Sequence, residues 1–198
     1  TSTWYEHLNK DIKEHFIADA SRTSHYFWHI YTRMNWGEPW YAGFRESQTE
    51  YRFKNQAYFQ RNMMPGMLGW FLLTKETSLE DIEWMLAKSA AWDAGYGFVC
   101  NYKSLEENGM TDQILEMIGL WEDTRMRQVL DTETREILKD PAREFHMERT
   151  EDGRLELSEF MVERFEYATQ ERQPGELDWS VFEFKNPYEP QAIQFMIS

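Results

Sequence analysis

MLGWFLLTKETSLEDIEWMLAKSAAWDAGYGFVCN, residues 67–101, holds two short apolar runs with an amphipathic segment between them. An apolar run without alternation suits a strand covered on both faces, as parallel strands ordinarily are. Met67 to Thr74 therefore reads as one buried strand and Gly95 to Asn101 as another. Between them Leu79, Ile82, Trp84, Met85 and Leu86 form a helical stripe that continues to Trp92. Thr77, with Glu80 three residues on, makes a capping box at the start of that helix, and Asp93-Ala94-Gly95 stops it. Strand, helix, strand is the unit from which parallel sheets are assembled.

Upstream, Pro65 and Gly66 punctuate the chain, and Glu46 to Asn62 predicts a helix with Tyr51, Asn55, Tyr58 and Phe59 on one side. His15 to Ala20 is the first candidate strand and ends at Asp19; His25 to Tyr31 is the alternative. Downstream, a longer helix starts near Thr111, carries Ile114, Ile118, Trp121 and Val129, and bends at Asp131 before Glu133 to Lys139. Asp140-Pro141 ends it. Beyond Arg143 the period becomes two. Phe145 and Met147 precede the Glu151-Asp152-Gly153 turn and Leu155 and Leu157 follow it, which predicts a hairpin. Pro174-Gly175 marks another turn, and Trp179 with Val181, then Ile193, Phe195 and Ile197, suggest two more strands. The chain thus divides into an α/β part, residues 1–142, and a small antiparallel, β-sandwich-like domain, residues 143–198.

Composition narrows the class. The chain has 198 residues, 41% hydrophobic and 16% aromatic, enough for one core and incompatible with disorder. Its formal charge of −14, from 35 acidic and 21 basic side chains, repels a phosphate backbone and argues against nucleic acid or an anionic membrane as partner. The nine tryptophans suit either a binding groove or a Trp-rich core. Cys100, the single cysteine, permits no internal disulfide and reads as buried packing. The longest apolar run, Met63 to Leu73, is broken by Pro65 and two glycines and is too short to cross a bilayer. No signal-peptide pattern opens the chain. It begins with Thr1, so a processed product, a trimmed chain or a piece of a larger protein is expected.

Three strand-helix units would leave exposed sheet edges. A closed (β/α)8 barrel needs about 250 residues, and the α/β part here has only about 140. The order of elements is that of the C-terminal part of such a barrel followed by a β domain, with the missing barrel half upstream or on another chain. A self-contained α+β domain is the alternative. MMPGMLGWFLL, then TSLEDIEWMLAKSAAWDAGYGFVCN and LWEDTRMRQVL…DPAREFHMER, resembles the closing strands and helices of large bacterial (β/α)8-barrel glycoside hydrolases, particularly the polysaccharide-degrading enzymes of gut Bacteroidetes-like bacteria. The resemblance covers roughly residues 10–150. It implies a carbohydrate substrate and a periplasmic or secreted location.

Glycoside cleavage uses two carboxyl groups about 5 to 9.5 Å apart, and in a barrel these stand at C-terminal strand ends. Asp19 fits such a position, and Glu38, between Gly37 and Pro39, fits an extended loop beyond it. Asp19 could instead cap a helical turn and Glu38 could be a solvated loop charge. Trp36 and Trp40 flank Glu38 and offer indole faces to a sugar, while Arg22 and His25 offer hydrogen-bond donors. Trp28, His29 and Tyr31 read as packing. Trp70 and Asn101, at the later strand ends, complete the expected substrate contacts, although an Asn that starts a loop is also a common turn residue.

No metal or cofactor is expected. His25 and His29 share a helical spacing but lack the Glu of HExxH, and no GxGxxG, P-loop, Ca²⁺-loop or G-x-S-x-G pattern occurs. Two other readings stand beside hydrolysis: a non-catalytic carbohydrate-binding or structural module, and helix-mediated protein interaction.

Overall fold

The computed structural model describes residues 2–12, 14, 19–20, 33–34, 45, 53–61, 66–161, 163, 165–166, 175 and 179–187. In chain order the elements are α1 (Ser2–Asp11), β1 (Asp19–Ala20), β2 (Arg33–Met34), α2 (Phe53–Arg61), β3 (Met67–Leu72), α3 (Leu79–Trp92), β4 (Gly95–Val99), α4 (Tyr102–Glu107), α5 (Thr111–Met126), α6 (Thr132–Leu138), β5 (Glu144–Arg149) and β6 (Leu155–Phe160). They form a mixed α/β structure with three two-stranded sheets among the described residues. The pairs β1–β2 and β3–β4 are parallel, and β5–β6 is antiparallel.

The β3–α3–β4 unit follows the sequence pattern closely. Trp70 pairs with Gly97 and Leu72 with Val99, after a register slip between Met67 and Gly69, where Gly69 takes φ 107°. Such a slip is a bulge, and only glycine adopts that backbone without strain. Beyond it Phe71 and Leu73 enter the core, whereas Trp70 and Leu72 stand on the other face, half-buried. On β4 the cluster takes Tyr96 and Phe98, and Val99 is 38% exposed. The strand expected at residues 95–101 ends at Val99, and its second face is filled from β3, by Met67 against Gly95 and Trp70 against Gly97. The reason is local: Gly95 and Gly97 bring no side chain to the second face.

Helix α3 starts one residue later than the capping box predicted. Ser78, extended at φ −89° and ψ 159°, is the N-cap, and its hydroxyl accepts from the Asp81 N–H at 3.3 Å. Thr77 instead accepts from the Thr74 N–H at 2.9 Å, closing the loop after β3. Asp93 ends the helix in the left-handed region, φ 48°. Every residue from Ile82 to Ala91 is buried, because α5, α6 and β5 pack against the helix. Its polar members need internal partners.

The expected bend at Asp131 is a full break. Gln128 has φ 56°, and Asp131 N-caps the separate helix α6 by accepting from the Thr134 N–H at 2.7 Å. In α2 the buried face is Gln56 and Phe59, with Phe53 packed on the core, while Tyr58 is 39% exposed. Helices α1 and α4 were not expected. The hairpin formed as expected, with Met147 opposite Leu157. Phe145 and Met147, which follow the boundary placed at residue 142, are buried in the same cluster as Leu68, Trp84 and Trp121. Residues 179–187 form no strand, and Trp179 and Val181 are 67% and 70% exposed. No strand among the described residues pairs with this segment, and Phe182 packs on Phe165 with ring centroids 4.8 Å apart. Ile193, Phe195, Ile197 and the alternative strand at residues 25–31 lie outside the described residues.

Candidate functional site

The C-terminal ends of β3 and β4 share one rim, since the strands are parallel and in register. Trp70 lies against Gly97: a Cβ built on Gly97 would stand 2.8, 3.0 and 3.4 Å from Cε3, Cζ3 and Cδ2 of the indole. Three contacts with one six-membered ring mean that the ring spreads over the glycine, which a side chain would prevent. This contact lies on the face that α3 does not cover.

Asn101 starts α4, and its Oδ1 accepts from the Ser104 N–H at 2.8 Å. The helix cap is its first role. Trp70 stands two rungs before the Leu72–Val99 pair and Asn101 two residues after it, so about 13 Å of strand separates them. Both could line an extended sugar chain. One sugar ring could not touch both.

Asn108 fixes the rim and went unnoticed in the sequence. It is 7% exposed; its amide donates to the carbonyls of Thr74 and Thr77 at 3.0 and 2.9 Å, and its Oδ1 accepts from the Met110 N–H at 2.8 Å. Thr111 donates to the carbonyls of Leu105 and Asn108 at 2.5 and 3.0 Å. The loop after β3 is thereby tied to the turn before α5. Cys100, expected in the core, is exposed on this rim because β4 has already ended. Tyr102 beside it is 85% exposed.

Of the expected carboxylates, Asp19 opens β1 and pairs in parallel register with Arg33; only its backbone is described. Glu38, Arg22, His25, Trp36 and Trp40 lie outside the described residues.

A second cluster of charges is buried away from the rim. Glu83 in α3 is 2% exposed; its carboxylate accepts from Trp121 Nε1 at 3.0 Å and the Met147 N–H at 3.2 Å, and meets His146 Nδ1 at 2.6 Å. The hydrogen bond that His146 donates to Glu83 holds it above its ordinary pKa, against the smaller opposing effect of burial. One helical turn further on, Lys88 is fully buried and donates to the carbonyls of Asp140 at 2.5 Å and Arg143 at 3.3 Å. Its ammonium stands 5.5 Å from the Trp84 ring and 5.6 Å from the Phe145 ring. Removal from water pulls its pKa down to about 8, with Glu144 and Asp140 opposing. Arg45 reaches the same place, bonded to Asp81 at 2.8 Å and to Glu144, with its guanidinium 5.2 Å from the Trp84 ring. These charges bond to one another and to the backbone between α3, α5, the turn at residues 140–143 and β5, which makes them structural ties.

Among the described residues no group of three His, Cys, Asp or Glu side chains could hold a metal ion, and no helix is long and apolar enough to cross a membrane. No protein-family model, curated protein or solved structure matches this chain. Its function has to be argued from the residues themselves.

Proposed function

We propose that this chain is the C-terminal part of a (β/α)8-barrel glycoside hydrolase with appended β structure, cleaving a polysaccharide or oligosaccharide once the barrel is complete. The observation that carries this reading is the parallel β3–β4 pair, joined through α3, with the Trp70 indole laid over Gly97. Trp70 spread over Gly97, with Leu72 and Val99 beside it, makes an apolar, part-exposed surface on parallel strands. Parallel sheets ordinarily bury both faces, and in a barrel the helix-free face points inward. Strands from the missing barrel half, upstream or on another chain, would bury it.

In this reading Asp19 and Glu38 divide the acid and nucleophile or base roles. Trp36, Trp40 and Trp70 stack on sugar faces, Arg22 and His25 bind hydroxyls, and Asn101 lines a neighbouring subsite. The enzyme would work in the periplasm or outside the cell.

The test is to make Asp19→Asn and Glu38→Gln in the intact protein and assay hydrolysis and ligand binding side by side. Each variant should lose about 10²- to 10⁴-fold or more in turnover and still bind. Full turnover in both would remove these carboxylates from the mechanism. One observation favours the alternative of a non-catalytic carbohydrate-binding module: each described sheet has only two strands. Sugar binding by this chain, without hydrolysis even in the intact protein, would decide for that alternative.

A further inference from the structure

Glu83 gathers donors from two elements other than its own. Trp121 belongs to α5, while the Met147 N–H and His146 Nδ1 both belong to β5. A carboxylate at 2% exposure depends on such partners, because a charge taken out of water is otherwise very unfavourable. Two of the three donors come from one strand, so this carboxylate fastens the β5–β6 hairpin to the helical layer. Removing the charge on either side of the contact should weaken that fastening.

His146 is the donor whose charge can change. Its side chain is 29% exposed, so water reaches the ring while Glu83 stays hidden. The charges that act on it are the carboxylates of Glu83 from α3 and Glu148 on its own strand; Glu144, two residues back on the same strand face, is bonded to Arg45, and Glu156 of β6 stands opposite Glu148. Ser158 is its cross-strand neighbour. Helix α5 contributes the Trp121 indole to the carboxylate and the Thr124 hydroxyl to Met147 Sδ at 3.4 Å, while its Asp123 is engaged by Arg127 at 2.8 Å and Arg149 at 3.9 Å. An imidazolium here offsets a buried carboxylate and a like-charged cross-strand pair, which by itself is destabilising.

We propose that the β5–β6 hairpin is a proton-gated clamp: the imidazolium of His146 locks it onto α3 and α5 through Glu83, and loss of that proton loosens it. A neutral imidazole can still donate through Nδ1, so what is lost is charge and the loosening is graded. The folded chain binds this proton more tightly than the unfolded one. The clamp is therefore fully closed below about pH 6.5, the unperturbed histidine value, and opens as pH rises through the raised folded value.

Amide hydrogen exchange of residues 144–160 between pH 6 and 9, corrected for the intrinsic base-catalysed rate, tests this on the whole chain. The opening constant of the hairpin amides should rise by up to about tenfold per pH unit above pH 6.5 and then level off. His146→Gln should abolish that dependence. Glu83→Gln, which keeps an acceptor for Trp121 and Met147 but no charge, should abolish it too and so decides the matter if the histidine variant does not fold. A pH-independent opening constant in the wild type, or an unchanged slope in either variant, overturns the clamp. So does a His146 ring resonance in the wild type that titrates at or below pH 6.5, a measurement that needs no variant.

Discussion

Lys88 puts a cation where water does not reach, and its linkage to pH runs opposite to that of His146. Burial lowers its pKa to about 8, whereas an unfolded lysine titrates near 10.4. Between those values the unfolded chain holds more protons, so this residue makes stability rise with pH from about 8 to about 10.4. Lys88→Met should flatten that rise, read as the difference between wild-type and variant urea unfolding at pH 8 and pH 10. Lys88→Ala should also cost about 2–4 kcal/mol at pH 7, since it opens a cavity and orphans the Asp140 and Arg143 carbonyls. A constant wild-type-to-Met difference across that range would mean that the amine is solvated. Neither Lys88 nor Glu83 stood out in the sequence. Each looks like a polar break in an apolar helix, and the partners that explain them lie 52 and 63 residues away. Local pattern cannot report a contact at that distance.

At the scale of elements, the contact that orders the β3–β4 pair is an absence. Gly97 has no side chain where the Trp70 ring lies, and a Cβ there would stand 2.8 Å from Cε3. A rigid indole cannot bend away as a lysine tip could, so Gly97→Ala should cost about 1–3 kcal/mol through overpacking. In a Trp70→Ala background the same change should cost a few tenths of a kcal/mol, and the difference is the coupling measured by a double-mutant cycle. Equal costs in both backgrounds would put the ring elsewhere. Strand, helix, strand and hairpin were all legible, because apolar period and turn residues mark them. The N-cap was misread by one residue, since Thr77 and Ser78 are both good caps and only the loop geometry assigns Thr77 to Thr74. Helix α4 was illegible because it buries no residue and so leaves no periodic trace.

At the scale of the whole molecule, one core runs from β3 to the hairpin. Leu68, Trp84, Trp121, Leu138, Phe145 and Met147 belong to a single buried cluster, with Leu155 and Leu157 packed against it. The sequence placed a boundary at residue 142 because the hydrophobic period changes there from helical to two. A change of period marks a change of element, and elements of different period can share one core. Two ties cross the junction: Lys88 Nζ donates to the Arg143 carbonyl at 3.3 Å, and Glu83 holds the Met147 N–H at 3.2 Å. A chain ended after Ala142 would lose Phe145 and Met147, each a buried side chain whose removal costs about 2–5 kcal/mol. It would also leave the Glu83 carboxylate without His146. Since a domain is stable by only about 5–15 kcal/mol, that truncation should abolish cooperative unfolding. A chain ended after Met161 keeps the whole cluster and should retain a single cooperative thermal transition. If the chain ending at Ala142 melts as sharply and as high as the one ending at Met161, the hairpin is an appendage after all, and the ties from Glu83 and Lys88 to residues 143–147 contribute little to the fold.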